Sequence, residues 1–176
     1  MTYIIDNMRK FMVACDQTTF DINIDQANLY AKLIAEEHQE FLDGIKNNDN
    51  VEILDALVDI VVVTAGFSLS LGYEPVFNNE SRQYPNSNIE ELSQALTFYC
   101  NQIQSTENPR HVIYNIITLC MEYCQVMNWN FYDAYMEVTR SNMSKVDPNT
   151  GKVIKRADGK VLKPESYSPP DLTKFV

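Results

Sequence analysis

Wound into a helix, residues 50–71 would be apolar on almost every side, yet Glu52, Asp55 and Asp59 recur there at one-turn spacing. At about 100° per residue, both aspartates fall within about 60° of Glu52. Ile53, Leu54, Leu57, Val58, Ile60, Val61 and Val62 fill the remaining arc. A helix that is apolar on most sides is normally buried. Burying unpaired carboxylates costs roughly several kcal/mol each, or forces them to take up protons. A solvated acidic face would carry lysines at helical spacing, and this segment has none. A divalent cation is the economical counter-charge.

The preceding helix repeats the conflict in Ala35-Glu36-Glu37-His38-Gln39-Glu40. Measured from Leu29, Leu33 lies at about 40°, Glu36 at about 340°, Glu40 at about 20° and Glu37 at about 80°, so acids share an arc with leucines. Asn47-Asn48-Asp49-Asn50 is short enough to make the two helices antiparallel neighbours with their acidic stripes facing. Four to six carboxylates then converge. Oxygen-only clusters suit magnesium, manganese or calcium, whereas zinc and iron sites recruit His or Cys. His38 projects about 180° from Leu29, away from Glu40. The chain has no Glu-x-x-His pair of the di-iron bundles. Magnesium is the expected ion.

The fold class expected is all-α, a helical bundle with a small C-terminal β-hairpin. Helices are predicted over about 4–15, 25–46, 50–72, 89–105, 109–128 and 130–142, with residues 73–88 as a loop and Ser87 or Asn88 as the next cap. Apolar and basic positions alternate over 152–163 around Asp158-Gly159, a hairpin signal, and Ser168-Pro169-Pro170 begins an extended end. The expected organisation is one domain: a helical body over 1–145, with a helical insertion over about 76–128, and a basic hairpin and tail over 146–176. Shifting the chain by 56 residues hints at duplication, bringing Asp55 onto His111 and Asp59 onto Asn115, with the acids gone from the second copy.

Residues 1–143 carry seven Lys or Arg against twenty Asp or Glu, and residues 144–176 carry seven against four. An acidic body argues against a nucleic-acid polymer as partner, because phosphate-backbone binding needs a basic footprint. A basic tail folded beside the acids could still grip a small polyphosphate. Cys15, Cys100, Cys120 and Cys124 lack metal spacing and read as buried free thiols. With no signal sequence and no apolar run of membrane length, the expected location is the cytoplasm, without a membrane partner.

Four motifs occur in order: Glu36-Glu37-x-x-Glu40, the Asp55/Asp59 helix, Arg140-Ser141-Asn142-Met143-Ser144-Lys145, and a terminal Gly-Lys-Val-Leu-Lys-Pro-x-x-Tyr-x-Pro-Pro-Asp-Leu. Together they resemble the MazG-like all-α nucleoside triphosphate pyrophosphohydrolases. The resemblance is to the phosphoribosyl-ATP-pyrophosphohydrolase-like branch common in phages, which includes the MazZ-type dGTP-hydrolysing group, and it covers residues 1–75 and 130–172. It implies conversion of a nucleoside triphosphate to monophosphate and pyrophosphate by water attack at the α-phosphorus, with two or more Mg2+ or Mn2+ ions per site. By motif position, Glu37, Glu40 and Asp59 match the family's metal ligands. Its fourth acid falls on Ala56 here, so Asp55 is the substitute and Glu52 the reserve. Glu36 is a further ligand or, with Glu40, a group that orients and activates water. Asn142 and Lys145 match the phosphate-binding segment, with Arg140 and Lys163 beside them.

The resemblance makes a deoxynucleoside triphosphate the expected substrate, with dGTP (or GTP) first and dUTP, dCTP or a modified nucleotide as alternatives. It also implies a homo-oligomer, dimer or tetramer, in the host cytoplasm if the source is a phage. A reading of another class is a non-catalytic, metal-stabilised helical module that binds a nucleotide or a protein partner. Turnover separates the two.

Overall fold

The computed structural model describes residues 2–74, 88–156 and 161–176. Six helices are present among them: α1 (Thr2–Ala14), α2 (Ile24–Asn47), α3 (Asn50–Ser70), α4 (Ile89–Gln102), α5 (Pro109–Val126) and α6 (Phe131–Met143). This is the all-α bundle that the periodicity predicts. Local chemistry fixes the ends of the acidic pair. Asn23 caps α2, its side chain accepting from Gln26 N, and Asn48 leaves that helix in the left-handed region at φ 53°. Asp49 caps α3 by accepting from Val51 N at 3.0 Å and Glu52 N at 3.1 Å. The hairpin between the two helices thus needs only Asn48 and Asp49, residue types suited to a left-handed exit and an N-cap. At its far end α3 stops at Ser70 rather than about 72, because Gly72 takes φ 73° and turns the chain out of the helix.

The pairing of α2 with α3 is the most extensive helix contact in the molecule. Its register can be read from two fixed points. Gln26 Nε2 donates to Ser70 Oγ at 2.8 Å. Four residues on, the Tyr30 ring lies against Gly66, where a Cβ would stand 2.4 Å from Tyr30 Cε1. Continuing the count in opposite directions brings Glu37 level with Asp59 and Glu40 level with Ala56. Gly44 makes the second close approach, with a Cβ position 3.0 Å from Ile53 Cγ1.

One apolar core joins residues of all six helices and takes in Leu172 of the tail. α3 runs through it. This helix is long and apolar enough to cross a membrane by composition, a property the sequence reading denied it, but 89% of its apolar window is buried inside the protein. The α4–α5 pair covers another side of α3. Asn88 caps α4 through a capping box with Glu91, while Ser87 lies outside the described residues, as does most of the expected 73–88 loop.

No strand forms among the described residues. The 152–163 segment shows isolated antiparallel bridges, Val146 with Val153 and Lys155 with Val161, and Leu162 N donates to Ile154 O at 2.8 Å. The expected Asp158-Gly159 turn lies outside the described residues. Part of this segment's bonding goes to α1 instead. Val153 N donates to Ala14 O and Lys152 Nζ to Val13 O, both at 3.0 Å, and Lys155 Nζ donates to Cys15 O. Helix α1 has no basic residue in its last turn, and these lysines complement its C-terminal carbonyls from elsewhere in the chain.

Candidate active site

Between α1, α2, α3, the end of α6 and the basic segment lies a cavity of about 760 Å3, within the usual range for small-molecule sites. Glu36, Glu37 and Asp59 line it, as do Asn142, Lys145 and Lys155. Its apolar wall includes Met8 and Phe11 of α1, Leu29, Tyr30 and Leu33 of α2, and Val62 and Val63 of α3. The cavity is therefore acidic in one part, cationic in another and apolar along α1 and the first half of α2.

The carboxylates burden one another. Burial pushes Glu37 up to about 8, and the charges of Asp59, Glu40, Asp55 and Glu36 add to the shift. Asp59 is raised to about 7 by burial and then by Asp55, with Lys145 pulling the other way. Asp55 is raised to about 6 by burial, then by Glu52 and Glu40, again against Lys145. Asp55 Oδ1 is buried without a hydrogen-bond partner, a costly state for a carboxylate oxygen. An all-oxygen donor set, mutual repulsion and an orphaned oxygen together fit a hard divalent cation. Among the described residues no three Asp, Glu, His or Cys side chains stand at the spacing of a formed metal cage. His38 points elsewhere, buried with its Nε2 3.0 Å from Thr97 Oγ1 and its ring stacked on Phe41.

Of the residues singled out from the sequence, Glu36, Glu37, Asp59, Asn142 and Lys145 meet in the cavity. Glu40 and Asp55 are not among the cavity-lining residues, but their charges reach Glu37 and Asp59 and raise both. Glu52 is exposed in the first turn of α3, in reach of Asp55's charge. Lys145 Nζ donates to Asn142 Oδ1 at 2.7 Å, so the two act as one unit. Arg140 and Lys163 are not among the cavity-lining residues. Arg140 donates to Glu137 at 3.0 and 2.8 Å and to Pro169 O at 2.9 Å, tying α6 to the tail, while Lys163 stands over the Tyr167 ring at 4.7 Å. Trp129 and Tyr135 are core, and Tyr73 lies under Arg110. Lys155, Gln17 and Cys15 line the cavity without having been singled out. Alternation of basic residues along 152–163 was a signal for Lys155; Gln17 carries none.

This acid-walled helical pair is also what comparison with known proteins picks out. Residues 13–78, which hold all of α2 and α3, match the family model described as Phosphoribosyl-ATP pyrophosphohydrolase. A similar protein is Uncharacterized protein L479 of Acanthamoeba polyphaga mimivirus, 28% identical over 162 residues, a match that covers 77% of this chain and 64% of that protein. The chain therefore spans less than two thirds of that relative's length. No solved structure matches it.

Proposed function

We propose that this chain is a Mg2+- or Mn2+-dependent nucleoside triphosphate pyrophosphohydrolase, releasing monophosphate and pyrophosphate. The observation that carries the reading is the single cavity in which Glu36, Glu37 and Asp59 meet Lys145, Asn142 and Lys155 beside an apolar wall. A triphosphate has matching parts: anionic oxygens for the cation and lysines, and a flat base for the hydrocarbon. The match of residues 13–78 to a pyrophosphohydrolase family supports the same reaction.

Glu37, Glu40, Asp55 and Asp59 would hold the cations, with Glu36 and Glu52 at the margin. When bound, such ions neutralise phosphate charge and lower the pKa of water. Glu36, exposed at the cavity, accepts a proton from the attacking water as its oxygen bonds the α-phosphorus. The bond from that phosphorus to the bridging oxygen breaks, and pyrophosphate leaves with the electron pair. Lys145, held by Asn142 and close enough to the acids to pull against their shifts, stabilises the charge on the leaving group. The apolar wall excludes water from the base end.

The preferred substrate in this reading is a deoxynucleoside triphosphate, dGTP first. A homo-oligomer belongs to it too: Phe20, Ile22, Ile24 and Leu29 are 74%, 69%, 59% and 46% exposed in one short stretch that ends at the cavity with Leu29, enough apolar surface to favour a second copy. Sedimentation would give a dimer or tetramer; a monomer at micromolar concentration overturns this point alone.

Pyrophosphate release from the four dNTPs and four NTPs, with either metal, tests the activity beside Glu40→Gln and Asp59→Asn. Metal-dependent release, reduced at least about a hundredfold in both variants, is the expected result. No release from any nucleotide by the folded parent would leave only a binding module.

A further inference from the structure

Gln17 sits in the turn between α1 and α2 and lines the cavity at a distance from its acids. Its side chain is oriented by Tyr30, whose hydroxyl donates to Gln17 Oε1 at 2.7 Å. Tyr30 is fixed in turn: it is 4% exposed, and its ring fills the space left by the missing side chain of Gly66. The carboxamide oxygen is thereby engaged. The amide NH2 has no partner among the described residues, so Gln17 offers the cavity two donors, while its oxygen is held towards Tyr30 by the bond it accepts. Of the other neutral polar side chains lining the cavity, Tyr30 is committed to Gln17, Asn142 has its Oδ1 on Lys145 and keeps its NH2 beside that lysine on the last turn of α6, and Cys15 brings only a weak thiol donor.

Position along α2 gives this donor a partner. Tyr30 lies seven residues before Glu37, about 10 Å along the helix axis, and Gly66 lies seven residues after Asp59 on the antiparallel helix. Leu33, Val62 and Val63 line the space between. A nucleotide with its α-phosphate at the acids and its sugar over this apolar stretch brings the far edge of its base to Gln17. We propose that Gln17 selects the base by donating to an exocyclic oxygen, so that 6-oxopurine and 4-oxopyrimidine triphosphates are preferred over their 6-amino and 4-amino counterparts. An exocyclic amino group would instead set donor against donor and leave the Gln17 NH2 without an acceptor on the base, which discriminates against a near-isostere.

This inference rests on the nucleotide reading of the cavity and deepens it. Its test compares kcat/KM for the pairs dITP against dATP and dUTP against dCTP, which differ at the exocyclic position and the adjoining ring nitrogen. In parallel, the affinities of dIMP, dAMP, dUMP and dCMP are measured calorimetrically without metal. The parent should favour the oxo member of each pair at least tenfold in both measurements. Gln17→Leu should bring each ratio to within about threefold of unity. Gln17→Glu keeps an oxygen for the Tyr30 hydroxyl and exchanges the NH2 for an acceptor, and it should reverse the preference towards dATP and dCTP. That reversal requires a folded protein and cannot arise from general damage. Turnover with equal rates within each pair, or ratios unmoved in both variants, overturns the role of Gln17 and leaves the pyrophosphohydrolase reading intact. Absence of turnover together with absence of monophosphate binding overturns both.

Discussion

Asp55 and Asp59 show what it costs to hold part-buried carboxylates beside one another. Both are pushed well above the ordinary carboxylate range by burial, and one oxygen of Asp55 has no partner. Removing the charge while keeping the shape should therefore relieve the fold. Asp55→Asn is expected to raise the thermal midpoint of the metal-free protein at pH 8 by about 2–4 °C for each kcal/mol recovered, while abolishing the upward shift that Mg2+ or Mn2+ gives the parent. Scanning fluorimetry with chelator and with each metal checks both halves, and a lowered midpoint in chelator would show that the carboxylate is stabilising on its own. Lys145 and Arg140 separate in the same way. Lys145 lines the cavity and Arg140 binds tail carbonyls, so Lys145→Ala should raise KM for a triphosphate about tenfold or more, the scale of a charged hydrogen bond. Arg140→Ala should chiefly speed proteolysis of residues 164–176. Equal KM effects in steady-state kinetics would contradict this division. Both residues sit in one hexapeptide, and the sequence could not sort them, because which one turns to the tail depends on where Pro169 comes to lie.

The α2–α3 hairpin was the most legible element. Its existence, the place of its link and the facing of its acids follow from periodicity and capping types, because short-range chemistry sets them, although the tetrapeptide expected over 47–50 narrows to Asn48 and Asp49 and α3 ends at Ser70 rather than about 72. Its register was not legible, since close approach at Gly44 and Gly66 depends on what faces each glycine across the pair. Gly66→Ala tests that register. An added methyl would overlap the Tyr30 ring, and displacement of the ring should cost about 1–3 kcal/mol, the usual range for overpacking. Urea denaturation would read this as a lower midpoint with an unchanged slope, and no loss of stability would mean the helices slide freely. The basic segment was the least legible. Its alternation reads as a hairpin, and Lys155 does bridge to Val161, but Val153 N and the Lys155 ammonium also bond the carbonyls at the C-terminal end of α1, a partner nearly 140 residues away that no local pattern announces.

At the scale of the whole molecule, Glu37, Asp59 and Asp55 titrate together. Their folded values, about 8, 7 and 6, all lie above the ordinary 4.5 or 3.8. The folded state thus holds more protons than the unfolded chain from about pH 4 to about pH 8. Stability from these groups is fully present at the acid end and is lost as pH rises through that window. In chelator, the thermal midpoint should fall between about pH 4 and 8 and then level; saturating Mg2+ or Mn2+ should flatten the slope. A midpoint independent of pH in chelator would mean the carboxylates are solvated and uncoupled. The cavity was half visible in advance: the acids were named from spacing, and Asn142 and Lys145 from the family resemblance, but the wall from α1 and the turn holding Gln17 required the fold. The antiparallel register carries one more consequence. Because seven residues separate Tyr30 from Glu37 on one helix and Asp59 from Gly66 on the other, the pair would work, on the proposed nucleotide reading, as a ruler with one graduation at the phosphate and one at the base. On that reading, inserting seven residues between the marks of both helices, close to two whole turns, would return each mark to nearly the same face and lengthen the gap by about 10.5 Å, retuning the pair for a longer ligand without changing the residues at either mark.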